Sequence, residues 1–371
     1  MVGLHGQPDG APAAGWATLR LVAERVLSTK DLNRAMLARQ LLLKRGRMGI
    51  PGAIDRVAGL QTQYAPSGYI SLWSRLERFR RDQLTKALER RRVIQGWVMR
   101  STIHMVSGGD YWPLNLAVRR HRREWQMRAF RKELAGVDME EVAARVRELL
   151  KDGPRKGKEM QDALLAEGYP RVAWLGSQVW VDVVRVPPSG TWERKRGDLF
   201  ALAEDWVGPE RGTEARGLRH LIRRYFQGFG PASLSDLSSW AGIPVTALRP
   251  IVEKLGLRRF RDADGGELHD LPSQPLPDPD VPAPPRFIPT FEATLLAQAR
   301  RTQFLPEEHR SLVFGVRTPH SSPTFTVEGR IAGKWRYEDG RVQLEPFAPI
   351  PRKHRRDLEE ETKALAAFHA G

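Results

Sequence analysis

The order of patterns across residues 214–272 constrains the fold of this chain more than any other feature. EARGLRHLIRRYFQGF has helical periodicity, and PASLSDLSSWAGIPVTALRPIVEKLG gives two shorter helices around a Gly-Ile-Pro turn. LRRFRDADGGELHDLP then reads as two short strands around Asp264-Gly265-Gly266, whose glycines tolerate positive φ. Helix, helix, turn, helix, hairpin is the order of a winged helix, placed here at residues 213–272.

The same order is legible twice more upstream. In residues 26–135, DLNRAMLARQLLLKRG, PGAIDRVAGL and RRDQLTKALERR read as helices, and VIQGWV with RSTIHMVS as a hairpin. In residues 136–212, DMEEVAARVRELLKD, KEMQDALLAEG and RVAWLGSQVWVDVVR read as three helices, followed by a wing region in VPPSGTWERKRGDLFALAED. Residues 273–286 form a proline-rich linker, extended and poor in core-forming residues. Residues 287–371 are β-rich and end in a charged helix, RKHRRDLEEETKALAAFH. Residues 1–25 have neither a basic n-region nor an apolar h-region and are expected to be a loose leader outside the fold. The fold class expected is therefore α+β: three tandem winged helices plus a β-rich C-terminal part.

Charge narrows the partner. Lys plus Arg number 60 against 44 Asp plus Glu, a formal net charge of +16 that calls for a polyanion. No stretch approaches the roughly 18 apolar residues of a membrane span, so nucleic acid is favoured over a bilayer. Repeated winged helices point to duplex DNA, because phosphate neutralisation makes use of so much uncompensated charge. The densest run, RRHRREWQMRAFRK at residues 119–132, makes Arg119, Arg120, Arg122 and Arg123 the candidate phosphate contacts, although its arginines fall on several helix faces and some must simply be solvated. The absence of cysteine removes disulfides, thiolate nucleophiles and cysteine-ligated metals, and fits a reducing cytoplasm.

The catalytic candidates are few. The nine histidines show no HExxH spacing, so no metal is expected; neither a GxSxG elbow nor a GxxxxGK[ST] loop is present, which removes the usual supports of acyl transfer and of nucleotide hydrolysis. Two patterns remain. Gln61 and Gln63 share a face if GLQTQY is extended, and Arg100, Thr102 and His104 share one in MRSTIHMVS. Each has a plain alternative: Q-x-Q is equally two exposed polar residues on an edge strand or turn, and His104 equally a satisfied buried histidine.

Taken together, the segments resemble a known family. The succession QTQ, MRSTIHMV followed by the acidic-aromatic helix start GGDYW, PPSGTWERKRGDLF, FGPASLSDLSSWAGI and PTFTVEGRIAGKWR is similar to the winged-helix DNA glycosylases of the AlkZ/YcaQ family, over about residues 26–368. The glutamine pair matches the azinomycin-resistance branch, which carries Gln-Φ-Gln, rather than the YcaQ-like branch, which carries Gln-Φ-Asp. Thr62 departs from the usual aliphatic middle residue and is expected to point away from the two amides.

The resemblance implies a monofunctional glycosylase that hydrolyses the N-glycosidic bond of N7-alkylated purines and unhooks interstrand cross-links in antibiotic self-resistance. It also implies three winged helices curved around a central DNA channel, closed by the β-rich part. Gln61 and Gln63 become the catalytic, water-positioning groups, with Arg100, Thr102 and His104 lining the site. The enzyme is expected to be a cytoplasmic bacterial monomer that needs no metal or other cofactor. SLVFGVRTPHSSPTFTVEGR reads as a hairpin around Thr318 to Pro323 whose Arg317 and His320 enter the minor groove, or else as an ordinary surface loop. The rival reading of the whole chain is a non-enzymatic winged-helix regulator, which would usually dimerise over a palindrome and would leave Gln61 and Gln63 without a role.

Overall fold

The computed structural model describes residues 25–195, 197–296, 299, 302–315 and 321–371. Residues 1–24 of the expected leader, and Arg317, Thr318 and His320 of the expected hairpin, lie outside the described residues.

The first segment runs β1 (Val26–Leu27), α1 (Thr29–Arg39), α2 (Ile50–Arg56), β2 (Leu60–Gln61), α3 (Ala65–Arg75), α4 (Arg81–Glu89), β3 (Val93–Trp97), β4 (Ile103–Ser107) and α5 (Gly108–Ala129). Ser28 and Asp31 form a capping box at the start of α1. The helix stops well short of the predicted residue 46, because Leu41 takes a left-handed φ of 56° and the amides of Leu42 and Leu43 fold back onto the Leu37 carbonyl. Helix α3 is absent from the sequence reading. All of its residues are buried, the polar Ser67, Ser71, Ser74 and Arg75 included, so it has no solvent-facing side.

The second segment is α6 (Met139–Leu150), β5 (Arg155–Lys156), α7 (Gly157–Ala166), α8 (Ala173–Ser177), β6 (Val183–Arg185), β7 (Leu199–Leu202) and α9 (Ala203–Trp206). Here the helix expected over residues 171–185 gives way to the short α8 and the strand β6, consistent with the β-branched and aromatic run VWVDVV. The third segment follows the reading closely, as α10 (Glu214–Phe229), α11 (Leu234–Ala241), α12 (Val245–Val252), β8 (Arg258–Asp262) and β9 (Glu267–Asp270). The C-terminal part contains β10 (Arg286–Ile288), α13 (Ala293–Leu296), α14 (Arg310–Val313), β11 (Thr324–Val327), β12 (Arg330–Glu338), β13 (Arg341–Pro346) and α15 (Arg352–Ala370), so the class is α+β.

The segments are joined by shared sheets. One six-stranded sheet, in the order β2-β4-β3-β6-β7-β5, carries the hairpin strands of the first and second segments edge to edge through β3 and β6. A three-stranded sheet sets β1 parallel to β8, with Val26 opposite Arg261, so the start of the described chain pairs with the third hairpin. A four-stranded antiparallel sheet, β10-β11-β12-β13, builds the C-terminal part. The proline-rich segment is docked on α1: Arg34 Nε donates to the Val281 carbonyl at 2.7 Å, and Ala283 is buried.

The largest core lies between α5, α10 and α11, with Tyr225, Phe226, Phe229 and Trp240 at its centre; Tyr225 stacks on Phe229 at 5.4 Å. Helices α5 and α10 cross so closely that a Cβ at Gly217 would stand 2.5 Å from the Pro113 carbonyl oxygen, and only glycine fits there. Among the described residues no helix is long and apolar enough to cross a membrane.

Candidate active site

The chain leaves α2 through Ala58 and Gly59, both at positive φ (63° and 86°), and this reversal lays β2 antiparallel beside β4. The register sets Leu60 opposite Met105 and Gln61 opposite His104, so the Gln61 and His104 side chains rise from the same sheet face. Thr62 extends the pairing by donating its amide to the Ile103 carbonyl at 2.7 Å. Its side chain is fully buried, with the methyl 3.0 Å from the point where a Cβ on Gly68 of α3 would stand. The middle residue thus packs toward α3 and Met105, on the other face of the sheet. Gln63 follows in a bend that leads into α3; it is half-buried, and its Oε1 is shielded from solvent without a hydrogen-bond partner.

Between β3 and β4 the chain turns through Arg100 and Ser101, both left-handed, at φ of 53° and 55°. That turn swings the Arg100 guanidinium back over the sheet. Its Nη2 donates to Gln61 Oε1, and its Nη1 donates to the Trp240 carbonyl in the last turn of α11 at 2.5 Å. The C-cap of α11 is Gly242 at φ +73°; a Cβ there would sit 3.2 Å from Arg100 Cα, so this close approach needs glycine twice over. Burial lowers the Arg100 pKa to about 10, which leaves it charged at neutral pH.

His104 is 1% exposed. Its Nδ1 lies 3.0 Å from the Thr102 carbonyl, which only accepts, so Nδ1 carries the proton and Nε2 is a bare acceptor. That Nε2 is buried without a partner. Burial, reinforced by the Arg100 charge, lowers the His104 pKa to about 3, and the ring is neutral across the physiological range. Thr102 Oγ1 donates to the Met99 carbonyl at 3.0 Å and so helps to hold the turn. The structure therefore brings Gln61, Arg100, Thr102 and His104 together around the start of β4, with Gln63 at the adjoining bend.

Carboxylates near α5 are committed elsewhere. Asp110, from the acidic helix start, accepts a hydrogen bond from Arg224 Nη2 at 3.0 Å and lies 2.8 Å from His220 Nε2. Burial alone would raise its pKa, but these two partners hold it below the ordinary carboxylate value. Burial, then the nearby Asp110, pushes Asp55 the other way. Among the described residues no group of three or more metal-ligating side chains is found.

The basic run of α5 is corrected in part. Arg122 is 3% exposed and donates to the Trp97 carbonyl, binding α5 to β3. Arg119 is held by Asp182 at 2.7 Å and Glu210 at 2.5 Å. Arg123 donates to the Val179 and Trp180 carbonyls at 3.1 and 3.0 Å and stacks over the Trp180 ring. Arg120 stays about half exposed, between Glu124 and Glu214. Arg119, Arg122 and Arg123 serve packing, because a helix buried over half its circumference must turn some of its arginines inward, where carbonyls and carboxylates pair with them. Arg317 and His320 lie outside the described residues. Sequence reasoning missed a better cationic stripe: Arg216, Arg219 and Arg223 of α10 are exposed, on one face by their i, i+3, i+7 spacing. A cleft of about 520 Å³ beside α4 is likewise lined by Arg78, Arg80, Lys86, Arg90 and Arg92.

The architecture has a known counterpart. The solved structure of Streptomyces sahachiroi DNA glycosylase AlkZ superposes with a TM-score of 0.78, covering 93% of this chain and 97% of that one at 19% sequence identity. No curated protein matches the sequence significantly. The sequence model of the DNA glycosylase AlkZ-like family matches residues 54–368, a span that includes the Gln61–Arg100–His104 cluster, and the chain belongs to the AlkZ-like DNA glycosylase family.

Proposed function

We propose that the chain is a monofunctional glycosylase that hydrolyses the N-glycosidic bond of N7-alkylated purines in duplex DNA, interstrand cross-links included, as a monomer and without a metal. The observation that carries this reading is that the site holds no general acid. Gln61, Gln63 and Thr102 are uncharged, His104 is held neutral, and Arg100 keeps its proton to about pH 10. None of these groups is a general acid at neutral pH, and an N7-alkylpurine needs none, because the base already carries positive charge and departs neutral. What the reaction requires is a water held against C1′ while the sugar passes through an oxocarbenium-like state, and amides supply both donors and acceptors for that task.

In this reading the three helix-and-hairpin segments are winged helices that curve around the duplex, and the C-terminal sheet closes the channel. The stripe Arg216, Arg219 and Arg223 and the cleft beside α4 supply phosphate contacts, with Arg120 as a further one. An open channel suits a base tethered to the opposite strand, which cannot swing fully out of the helix.

The test is release of N7-methylguanine from methylated duplex DNA, without metal or nucleotide, by the wild type and by Gln61→Ala and Gln63→Ala. The wild type should release the free base, and each variant should lose release while keeping its fold and its affinity for DNA. Sequence-selective binding without base release would instead identify a regulator.

A further inference from the structure

Resting on the water-positioning reading above, we propose that Arg100 is a positioning residue that locks the Gln61 amide in one orientation and thereby divides the labour between the two glutamines. A guanidinium carries five N–H donors and no acceptor, so the Gln61 atom facing Arg100 is its carbonyl oxygen, however the amide is drawn. The NH₂ group is then turned away from Arg100. Gln61 acts on the water as a donor, occupying one of its lone pairs.

The complementary role falls to Gln63, whose Oε1 makes no hydrogen bond within the chain and, once the side chain turns toward solvent, accepts the O–H of a water. A water donating one proton to Gln63 and accepting one from Gln61 keeps a lone pair directed at the sugar. As that lone pair forms the C1′–O bond, the C1′–N bond breaks with its electron pair passing to the cationic purine, which leaves neutral. The proton released from the new C1′ oxygen goes to solvent.

Arg100 is itself held at both ends of its task. Its other Nη donates to the Trp240 carbonyl, among the last carbonyls of α11, where the helix dipole offsets a positive charge. Gly242 gives the guanidinium stem room to reach that carbonyl. The residue thus fixes the amide without leaving an uncompensated cation beside a reaction that builds positive charge on the sugar.

The experiment is a single-turnover double-mutant cycle on N7-methylguanine duplex with Arg100→Lys, Gln61→Ala and the double variant, with DNA affinity and unfolding midpoint measured in parallel. Lysine keeps the charge and loses the two-pronged reach, so the chemical rate should fall by about tenfold to a hundredfold while DNA affinity stays unchanged. In the Gln61→Ala background the same change should have no further effect, because Arg100 acts through Gln61. A rate-neutral Arg100→Lys, or a loss that adds fully to that of Gln61→Ala, overturns the role given to Arg100 and leaves the water-positioning reading intact. Full activity of both Gln61→Ala and Gln63→Ala overturns that reading itself. Gln61→Glu provides a test in which Arg100 is untouched: it keeps an oxygen for the guanidinium and removes the NH₂ group, so it should be as slow as Gln61→Ala, and a fast Gln61→Glu overturns the donor role.

Discussion

Arg39 in α1 and Asp270 at the end of β9 form a buried two-pronged ion pair, with Nη1 to Oδ1 at 2.7 Å and Nη2 to Oδ2 at 2.8 Å. The two residues are 2% and 0% exposed, and Nη1 also donates to the Phe226 carbonyl at 3.0 Å. The pair fastens the first helix to the third hairpin. A buried pair adds little over a well-packed apolar replacement, but removal of one partner strands the other charge at a cost of about 3–5 kcal/mol. Asp270→Ala should therefore lower the unfolding free energy by roughly that amount in urea titrations, through the midpoint rather than the slope. An unaltered midpoint would show that the first and third segments are held together by other contacts.

What the sequence revealed follows from which physical signals are local. Helices α10, α11 and α12 and the β8–β9 hairpin carry amphipathic periods, a Ser233 cap, a Gly242 C-cap and a glycine turn, all readable within a few residues. Gln61 and Gln63 stood out for the same reason. Helix α3 did not, because it opens on Ala-Pro-Ser-Gly, which reads as a turn, and buries its polar Ser67, Ser71, Ser74 and Arg75 along with the rest. Nor did the anchor of Arg100: it is a backbone carbonyl 140 residues away, and a carbonyl has no side-chain signature. The basic run of α5 misled for a related reason. Sequence shows charge, but only the packing of α5 decides that Arg122 points inward while the more sparsely placed Arg216, Arg219 and Arg223 of α10 point out.

That difference separates the arginines in an experiment. Arg122→Ala should cost roughly 3 kcal/mol of stability, by leaving the Trp97 carbonyl short of a donor and the nearby Asp182 short of a countercharge, and should leave the salt dependence of DNA binding unchanged. Replacing Arg216, Arg219 and Arg223 together should do the reverse. Each lost phosphate contact should make the slope of log K against log [salt] shallower by about 0.9, with no change in melting temperature. A slope unmoved by the triple replacement would place the α10 stripe on a face that never meets DNA.

The buried His104 predicts a pH dependence of stability. Its pKa is about 3 in the folded chain, against the ordinary histidine value of 6.5 in the unfolded one. Between those values the unfolded state binds the extra proton, so stability rises with pH; the contribution is complete above about pH 6.5 and declines as pH falls toward 3, by up to about 1.4 kcal/mol per unit. Unfolding free energies of the wild type and His104→Gln, measured from about pH 7 down to 4, should show the wild type losing more stability than the variant. Parallel curves would show that His104 is not buried as a neutral ring.

The lack of a general acid in the site finally separates this enzyme from glycosylases that protonate their leaving group. Uracil and hypoxanthine depart as anions unless a group stabilises or protonates them, and an amide has no proton to give at any accessible pH. His104 does not substitute, since its neutral Nδ1 proton is engaged by the Thr102 carbonyl and the imidazolium forms only near pH 3. Arg100 offers charge but loses its proton only near pH 10. Cationic lesions alone should react. An N7 substituent projects into the major groove and leaves the minor-groove edge unchanged, so bulky adducts and cross-links should be released alongside N7-methylguanine. Matched duplexes carrying N7-methylguanine, hypoxanthine or uracil, compared at saturating enzyme from about pH 5 to 9, should show release from the first alone, with a rate nearly independent of pH because no site group titrates in that range. Efficient removal of uracil or hypoxanthine, or a rate that rises toward acid pH, would demand a general acid and would retire the two-amide mechanism.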